Sequence, residues 1–331
     1  MATIRDVAAL AGVSTTTVSH VINNSRFVSP EVRERVYQAM EELRYQPNAL
    51  ARSLRQGKTN TIGLLSPNSA NPYFAEIGRA VEDAAFTSRY SVIICNTEGK
   101  QEKESFYLDV LSKKRVDGII LVGISQTNET LDRLLAKGVP VVLVDREIPD
   151  LDVDLVLTDN KHAGYLATRH LIEQGHTRIA CVTGPAHVHP SSRRVVGYQE
   201  ALQEAGLPLQ EEYILPGDFS AQSGWEATRT LLALPQPPSA IFLCNDLMAI
   251  GGLRAAAEAG FAVPQDLAIM GFDDIELASF TNPTLSSISQ PKAEMGAIAV
   301  QMLLEQIEGK RSEPRQEILQ PALIVRRSTV A

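Results

Sequence analysis

The stretch GVSTTTVSHVIN (12–23) determines how the N-terminal part of this chain folds. Val18, Val21 and Ile22 have the i, i+3, i+4 spacing of a helix with one apolar face. Gly12 can adopt a positive φ and end a preceding helix, and the serine two residues later is a good N-cap. Three consecutive threonines follow, although Thr is a poor helix former. Folding alone therefore does not explain their presence.

Apolar residues on either side of this stretch predict two further helices. Residues 5–11 (RDVAALA) place Val7, Leu10 and Ala11 on one helical face. The third helix has an N-cap, a proline at its first position and an apolar stripe, formed by Ser29, Pro30, Val32, Val36, Met40 and Leu43. Two short helices joined by a glycine turn, with a third helix behind them, indicate a helix-turn-helix domain.

The polar face of helix 15–23 is suited to contact DNA bases. Thr15, Thr16, Ser19 and His20 lie largely away from the core face. Together with Ser14 they can donate or accept hydrogen bonds at base edges, and a Thr methyl can pack on a thymine methyl. The alternative is that these hydroxyls only satisfy free amides at the helix start. The glycine turn, the third helix and the local charge favour DNA binding. We expect Thr17 to lie nearer the core and to pack there.

Charge is distributed unevenly along the 331 residues. Residues 1–58 hold eight Lys or Arg and five acids, a net charge of +3, whereas the whole chain carries −8. A basic head on an acidic body indicates a polyanionic partner for the head only.

Residues 47–58 (PNALARSLRQGK) form a candidate hinge helix of about two turns, which is marginal on its own in water. Leu50 and Leu54 are spaced i, i+4, and if two chains pair here, one face of the helix can pack on its copy. Leu54 can then act as a wedge in the minor groove, with Arg52 and Arg55 near DNA. The alternative is a solvated linker. The QGKT sequence resembles the end of a phosphate-binding loop, but the glycine which that motif requires is replaced by Arg52.

From Thr61 onward, short apolar runs alternate with helical stretches, twice over, which predicts two α/β lobes with parallel sheets. Ligands bind beyond the carboxyl ends of such strands, so two facing lobes form a cleft that can close on a small molecule. Polar and aromatic residues occupy these predicted ends: Asn71, Tyr73, Phe74, Asp145, Arg146, Arg194, Asn245, Asp246, Phe272, Asp273, Asp274 and Gln290. Such a set suits a polyhydroxylated ring, although turns favour Asp and Asn in any case.

Several other classes of protein are disfavoured. The three cysteines lie far apart in apolar runs and are expected to be reduced, buried thiols. The N-terminus does not resemble a signal peptide, and no apolar run could span a bilayer, so we expect a cytoplasmic protein. No GxSxG, GxGxxG or complete phosphate loop supports an enzyme. We expect no metal site, because the HVHP pair His187 and His189 lacks a third ligand and DLDVD (150–154) is typical of a turn.

The segments VAALAGVSTTTVSHVIN (7–23) and NALARSLR (48–55) resemble the head of the lactose-repressor (LacI/GalR) family, and the rest of the chain is similar to its effector-binding body. The resemblance implies a homodimer on palindromic operator DNA, and the tail RRSTVA lacks the leucine heptads of tetrameric members. It also implies that Thr15, Thr16, His20 and Arg26 meet major-groove bases. Leu54 and Arg55 would meet the central minor groove.

The cleft residues resemble the pocket of ribose-binding periplasmic proteins, which implies D-ribose as the effector. The resembling set is Asn71, Tyr73, Phe74, Asp145, Arg146, Arg194, Phe219, Asn245, Asp273 and Gln290, with Tyr73 standing where those proteins carry Phe. Purine-responsive family members, whose heads are also similar, carry Trp at the position of Arg146. DDIELASF (273–280) and SQPK (289–292) are similar to ribose-responsive members.

Together these features predict an α/β protein with a helix-turn-helix head and a two-lobed, periplasmic-binding-protein-like body. The expected function is repression of ribose uptake and catabolism genes, relieved by ribose; the alternatives are a purine-type corepressor response, another pentose or a phosphorylated pentose. No enzymatic activity, cofactor or membrane partner is expected, and the protein would reside in the bacterial cytoplasm, at the nucleoid. The predicted boundaries are 1–46 for the head, 47–58 for the hinge and 59–331 for the body, with an N-lobe of 61–160 and 292–321 and a C-lobe of 161–291 and 322–331.

Overall fold

The computed structural model divides the chain into two compact units, Met1–Thr59 and Asn60–Ala331. It describes residues 2–24, 26–45, 58–123, 129–148, 151–186, 188–311 and 313–330. The predicted hinge helix, with Leu54 and Arg55, lies outside the described residues apart from Lys58. No helix in these ranges is long and apolar enough to cross a membrane.

The head contains the three predicted helices: α1 (Ile4–Ala11), α2 (Thr15–Asn23) and α3 (Pro30–Glu42). Gly12 ends α1 with a φ of 65°, and Ser14 caps α2 by accepting a hydrogen bond from the amide of Thr17. Side chains from all three helices form the core, namely Val7, Ala8, Ala11, Val18, Val21, Val36 and Ala39. The glycine turn and the apolar spacing therefore produce the predicted arrangement.

Two details of the head differ from the predictions. Leu10 is 48% exposed and does not belong to the core; Ala8 takes its place, because α1 buries the face that carries Val7, Ala8 and Ala11. Ser29 occupies the N-cap position of α3, but its side chain makes no capping hydrogen bond.

The body alternates strands and helices as predicted. The strands are β1 (Thr61–Ser66), β2 (Ser91–Asn96), β3 (Gly118–Val122), β4 (Val141–Val144), β5 (Asp154–Thr158), β6 (Ile179–Thr183), β7 (Ile214–Pro216), β8 (Ala240–Leu243), β9 (Ala268–Asp273), β10 (Ser286–Ser289), β11 (Gln316–Leu319) and β12 (Ala322–Ile324). The helices are α4 (Pro72–Thr87), α5 (Gln101–Lys114), α6 (Glu129–Ala136), α7 (Asn160–Glu173), α8 (His189–Glu204), α9 (Ala221–Leu232), α10 (Asp246–Glu258) and α11 (Lys292–Ile307).

These strands form two sheets, and each sheet defines a lobe. The first has the order β11-β5-β4-β3-β1-β2 and the second β12-β10-β9-β8-β6-β7. Neighbouring strands are parallel, except that β12 is antiparallel to β10. The chain passes between the sheets after β5, after β10 and between β11 and β12. Three crossings place the carboxyl ends of the parallel strands from both lobes around one cleft.

Glycines allow two helices of the second lobe to approach backbone to backbone. A Cβ on Gly164 of α7 would lie 2.0 Å from the carbonyl oxygen of Arg194 on α8. A Cβ on Gly197 of α8 would lie 2.0 Å from the carbonyl oxygen of Lys161 on α7. This close packing fixes the position of Arg194 relative to the start of α7.

Candidate effector cleft and DNA-contacting helix

A cavity of about 480 Å³ lies in the cleft at the carboxyl ends of the strands. Both lobes line it, with Asn71 and Asp145 on one side and Asn245 and Asp273 on the other. Eight of the ten residues that the sequence assigned to an effector are among its lining residues: Asn71, Tyr73, Phe74, Asp145, Arg194, Phe219, Asn245 and Asp273. The rule that ligands bind beyond strand ends therefore located the cavity.

Arg194 is the basic side chain of this cavity and is only 4% exposed. Its Nε donates to Oδ1 of Asn160 at 2.7 Å, and its Nη1 donates to the carbonyl oxygen of Cys244 at 2.6 Å. The guanidinium carbon lies 3.6 Å from the centroid of the Phe272 ring. These contacts hold the guanidinium in one position before any ligand arrives, which lowers the entropy that binding must remove.

Two buried carboxyl groups face the cavity. Burial raises the pKa of Asp273 to about 7, although Arg194 and Gln290 oppose this effect. Burial also raises the pKa of Asp145, again against the influence of Arg194. Oδ1 of Asp145 is buried and has no hydrogen-bond partner among the described residues. A buried acceptor of this kind is unfavourable unless a donor reaches it.

Asn71 and Asn245 each cap a helix that starts at the cavity. Oδ1 of Asn71 accepts from the amide of Tyr73 at 3.1 Å, and Oδ1 of Asn245 accepts from the amide of Met248 at 2.9 Å. The side-chain Nδ2 of Asn245 also donates to the carbonyl oxygen of Phe219 at 2.9 Å. Helix capping therefore explains why Asn occurs at both strand ends and also fixes the orientation of both side chains at the cavity wall.

Gln290 stands behind the cavity and is not among the described residues that line it. Its Nε2 donates to Oδ1 of Asp273 at 2.8 Å, and its Oε1 accepts from the Tyr73 hydroxyl at 3.2 Å. Gln290 follows β10, where the chain crosses from the second lobe to the first. It therefore joins Tyr73 of the first lobe to Asp273 of the second.

Arg146 departs from the expectation that it reaches the effector. It is 1% exposed, and its two terminal nitrogens donate to the carboxylate of Glu104 on α5 at 2.7 and 2.9 Å. It does not belong to the described cavity lining. The guanidinium turns toward Glu104 because a buried cation requires a charged partner, and this bidentate pair supplies one.

The other strand-end residues are structural in this arrangement. Asp246 is fully buried and accepts hydrogen bonds from the amide of Ile275 and the hydroxyl of Ser287. Asp274 pairs with Arg326 at 2.8 Å.

Several cavity residues were not predicted. Glu98 follows β2 and Asp218 follows β7, so the same strand-end rule indicates both. Pro67 and Asn68 also follow β1, and Gly99 follows β2, whereas Val188 and Pro190 lie at the start of α8 and Ser220 caps α9, and these three carry no such signal.

In the head, α2 separates its packing residues from its polar residues. Thr15, Thr16 and Arg26 are exposed, and His20 is partly buried. Thr17 is partly buried, and its hydroxyl lies 2.9 Å from Oγ of Ser14. Ser14 caps the start of α2, whereas Thr15 and Thr16 are neither needed for this cap nor part of the core. The first turn of α2 thus presents two threonine side chains that could contact DNA.

The described residues contain no group of three or more His, Cys, Asp or Glu side chains placed to hold a metal ion. His187 lies outside the described residues. The three cysteines are free and buried.

The chain matches two family models: residues 3–48 match "Bacterial regulatory proteins, lacI family" and residues 168–329 match "Periplasmic binding protein-like domain". The ribose operon repressor of Escherichia coli (strain K12) is 44% identical over 330 residues, covering 99% of this chain and 100% of that protein. The HTH-type transcriptional repressor PurR of Aliivibrio fischeri (strain MJ11) is 44% identical over 334 residues, covering 100% of this chain and 99% of that protein.

Solved structures show the same architecture. The lac repressor dimer bound to operator and the anti-inducer ONPF has a TM-score of 0.89 at 29% identity and covers 100% of this chain and 99% of that chain. A LacI family regulator from Enterococcus faecium with bound ribose has a TM-score of 0.74 at 31% identity and covers 81% of this chain and 98% of that chain.

A helix-turn-helix head and a two-lobed body with a polar cleft define a DNA-binding transcriptional regulator that responds to a small molecule, and not an enzyme. With full-length relatives at 44% identity, the chain belongs to the lacI family of bacterial regulatory proteins.

Proposed function

We propose that this protein represses genes for pentose uptake and catabolism and that D-ribose in the cleft releases it from its operator. The observation that carries the proposal is the cavity itself, where buried Asp145, Arg194, Asn245 and Asp273 converge with aromatic rings. Carboxylate acceptors, a guanidinium donor and carboxamides match the hydroxyls of a sugar, and ring faces match its C–H surfaces. The relative that is named a ribose operon repressor supports the same assignment.

Specific atoms can receive the sugar. Oδ1 of Asp145 is an acceptor without a partner among the described residues, so a hydroxyl that donates to it removes an unfavourable buried group. The T-shaped pair of Tyr73 and Phe74, with centroids 5.1 Å apart, provides an aromatic wall on the first lobe, and Phe219 provides one on the second. A pentose between these walls contacts both lobes at once and therefore stabilises the closed cleft.

Operator binding depends on the head and on the hinge segment that joins it to the body. We propose a homodimer that binds palindromic double-stranded operator DNA, with Ser14, Thr15, Thr16, His20 and Arg26 at major-groove bases. Sequence similarity to the family further suggests that Leu54 and Arg55 of the hinge segment contact the minor groove. A coupling of about 1.4 kcal/mol between sugar binding and hinge ordering already changes operator affinity tenfold. The site of action would be the bacterial cytoplasm, at the nucleoid.

The second candidate is a purine corepressor response, which the PurR relative favours. Arg146 stands against it. Purine-responsive members carry an indole at this position that can stack on a base, whereas here the side chain is an arginine committed to Glu104. A phosphorylated pentose is also disfavoured, because among the described lining residues the four acids Glu98, Asp145, Asp218 and Asp273 outnumber the one basic side chain, Arg194.

Calorimetry combined with a gel-shift assay tests the proposal. D-ribose should release heat on binding the full-length protein and should weaken the operator complex, whereas ribose 5-phosphate and hypoxanthine should do neither. A purine that binds and strengthens the operator complex would establish the second candidate. Absence of binding by D-ribose, with clear binding of another pentose, would retain the regulator and replace the effector.

A further inference from the structure

A contact between a histidine and a glutamate joins the two lobes beside the cavity. Nδ1 of His189 contacts Oε2 of Glu147. Glu147 lies in the loop after β4, in the first lobe, and His189 is the first residue of α8, in the second lobe. The His189 side chain is 47% exposed and that of Glu147 is 32% exposed, so protons reach both from solvent. Neither residue belongs to the described lining of the cavity.

The pair is nevertheless close to the groups that would hold a sugar. Glu147 is two residues from Asp145, and its negative charge contributes to the raised pKa of that buried carboxyl group. Val188 and Pro190, on either side of His189, both line the cavity. A change in the charge of Glu147 therefore changes the pKa of Asp145 inside the cleft. A rotation of the lobes changes the distance between Glu147 and His189.

The other charged residues around Glu147 and His189 make contacts elsewhere or lie one helical turn away. Glu147 shares a small pocket with Asp159, Lys161 and Arg193. The Asp159 carboxylate accepts from the amide of His162, and Lys161 pairs with Glu200 at 3.0 Å. Arg193 is one turn after His189 on the same helix. Within the described residues, Glu147 is the acid that lies within ion-pair distance of His189.

We propose that Glu147 and His189 form a proton-sensitive contact that stabilises the lobes around the cavity and so strengthens effector binding at low pH. A histidine ordinarily changes charge between pH 5 and 8. A contact that forms only when the lobes approach favours the closed arrangement by its own stability and raises the apparent affinity of any ligand that requires closure. For a half-exposed pair the expected gain is about two- to five-fold in affinity. The proposal rests on the proposed function for the identity of the ligand.

Calorimetric titration of the full-length protein with D-ribose, between pH of about 5.5 and 8.5, tests the contact. Wild type should bind about two- to five-fold more tightly than His189→Gln or Glu147→Gln at the low end. The three curves should meet at the high end, and the double variant should match the single ones. Asp273 titrates in all of these proteins, so the difference between the curves isolates the pair. The control is His162→Gln, because His162 is exposed and stacks on Tyr165 within the second lobe; it should follow wild type.

Superimposed curves for wild type and both single variants would overturn the proposal. If D-ribose gives no heat with any of the proteins, the proposed effector is wrong, and amide hydrogen exchange of the sugar-free proteins decides about the contact. Segments 141–148 and 188–194 should then exchange about two- to five-fold faster in both single variants than in His162→Gln at low pH. Equal exchange in all of the proteins would overturn the contact independently of the effector.

Discussion

The outer face of α2 and the wall of the cleft both present polar side chains, but only those of the cleft are fixed by contacts with neighbouring residues. Thr15 and Thr16 are exposed and free of the core. Arg194 is 4% exposed and fixed by Asn160, the Cys244 carbonyl and the Phe272 ring. The face of α2 can change without disturbing the fold, whereas the cleft residues are also part of the second lobe's interior. DNA specificity in this protein should therefore be easier to alter by substitution than effector specificity.

Arg194→Met tests the cleft side of this comparison and should have the largest effect. It removes the cation beside Asp145 and Asp273 and the donor in the cavity. D-ribose affinity should fall about 100-fold, and the free energy of unfolding should fall by about 3 kcal/mol. Calorimetry and urea unfolding measure the two changes. Arg193→Met, the exposed neighbour on α8, is the matched control and should alter neither. Wild-type sugar affinity in Arg194→Met would refute the assigned site.

Thr16→Ala tests the head side. Operator affinity should fall about tenfold, as expected for a lost base contact, while the head becomes more stable by a few tenths of a kcal/mol because Ala is the better helix former. Val18→Ala should leave the base contacts in place but lower the free energy of unfolding by about 2 kcal/mol, because the fully buried Val18 belongs to the small core of the head. Operator titration and thermal unfolding separate them. If Thr16→Ala destabilises the head instead, the two regions do not differ as described.

The pH dependence of stability tests the buried carboxyl group on the cleft side of this comparison. The folded pKa of Asp273 is raised from 3.8 to about 7, so the folded state binds more protons than the unfolded state between these values. Its contribution to stability is complete below pH of about 4 and is lost as pH rises through about 7. Asp273→Asn should match wild type near pH 4 and exceed it by about 4 kcal/mol at pH 8, because each pH unit between the two pKa values contributes about 1.4 kcal/mol. Urea unfolding across this range would show it; a gap that widens toward low pH would reverse the sign.

The sequence predicts much of this arrangement because local rules govern it. Helix spacing and the Gly12 turn specify the head, and the one error in its core, Leu10, arose because α1 presents Ala8 in its place. Strand ends identify most of the cavity. The sequence does not reveal where Arg146 points, since its partner Glu104 is 42 positions away. Nor does it reveal the pairing of Glu147 with His189, because that contact depends on how the two lobes close.

The close packing of α7 on α8 has a consequence for genetics. Ala at Gly164 or Gly197 would push the two helices apart and move Arg194 without changing any residue at the cavity. In a library of random mutants selected for repression that no longer responds to effector, these two glycines should recur alongside the lining residues. The positions of such mutants would then identify the contact between α7 and α8 as well as the lining of the cavity.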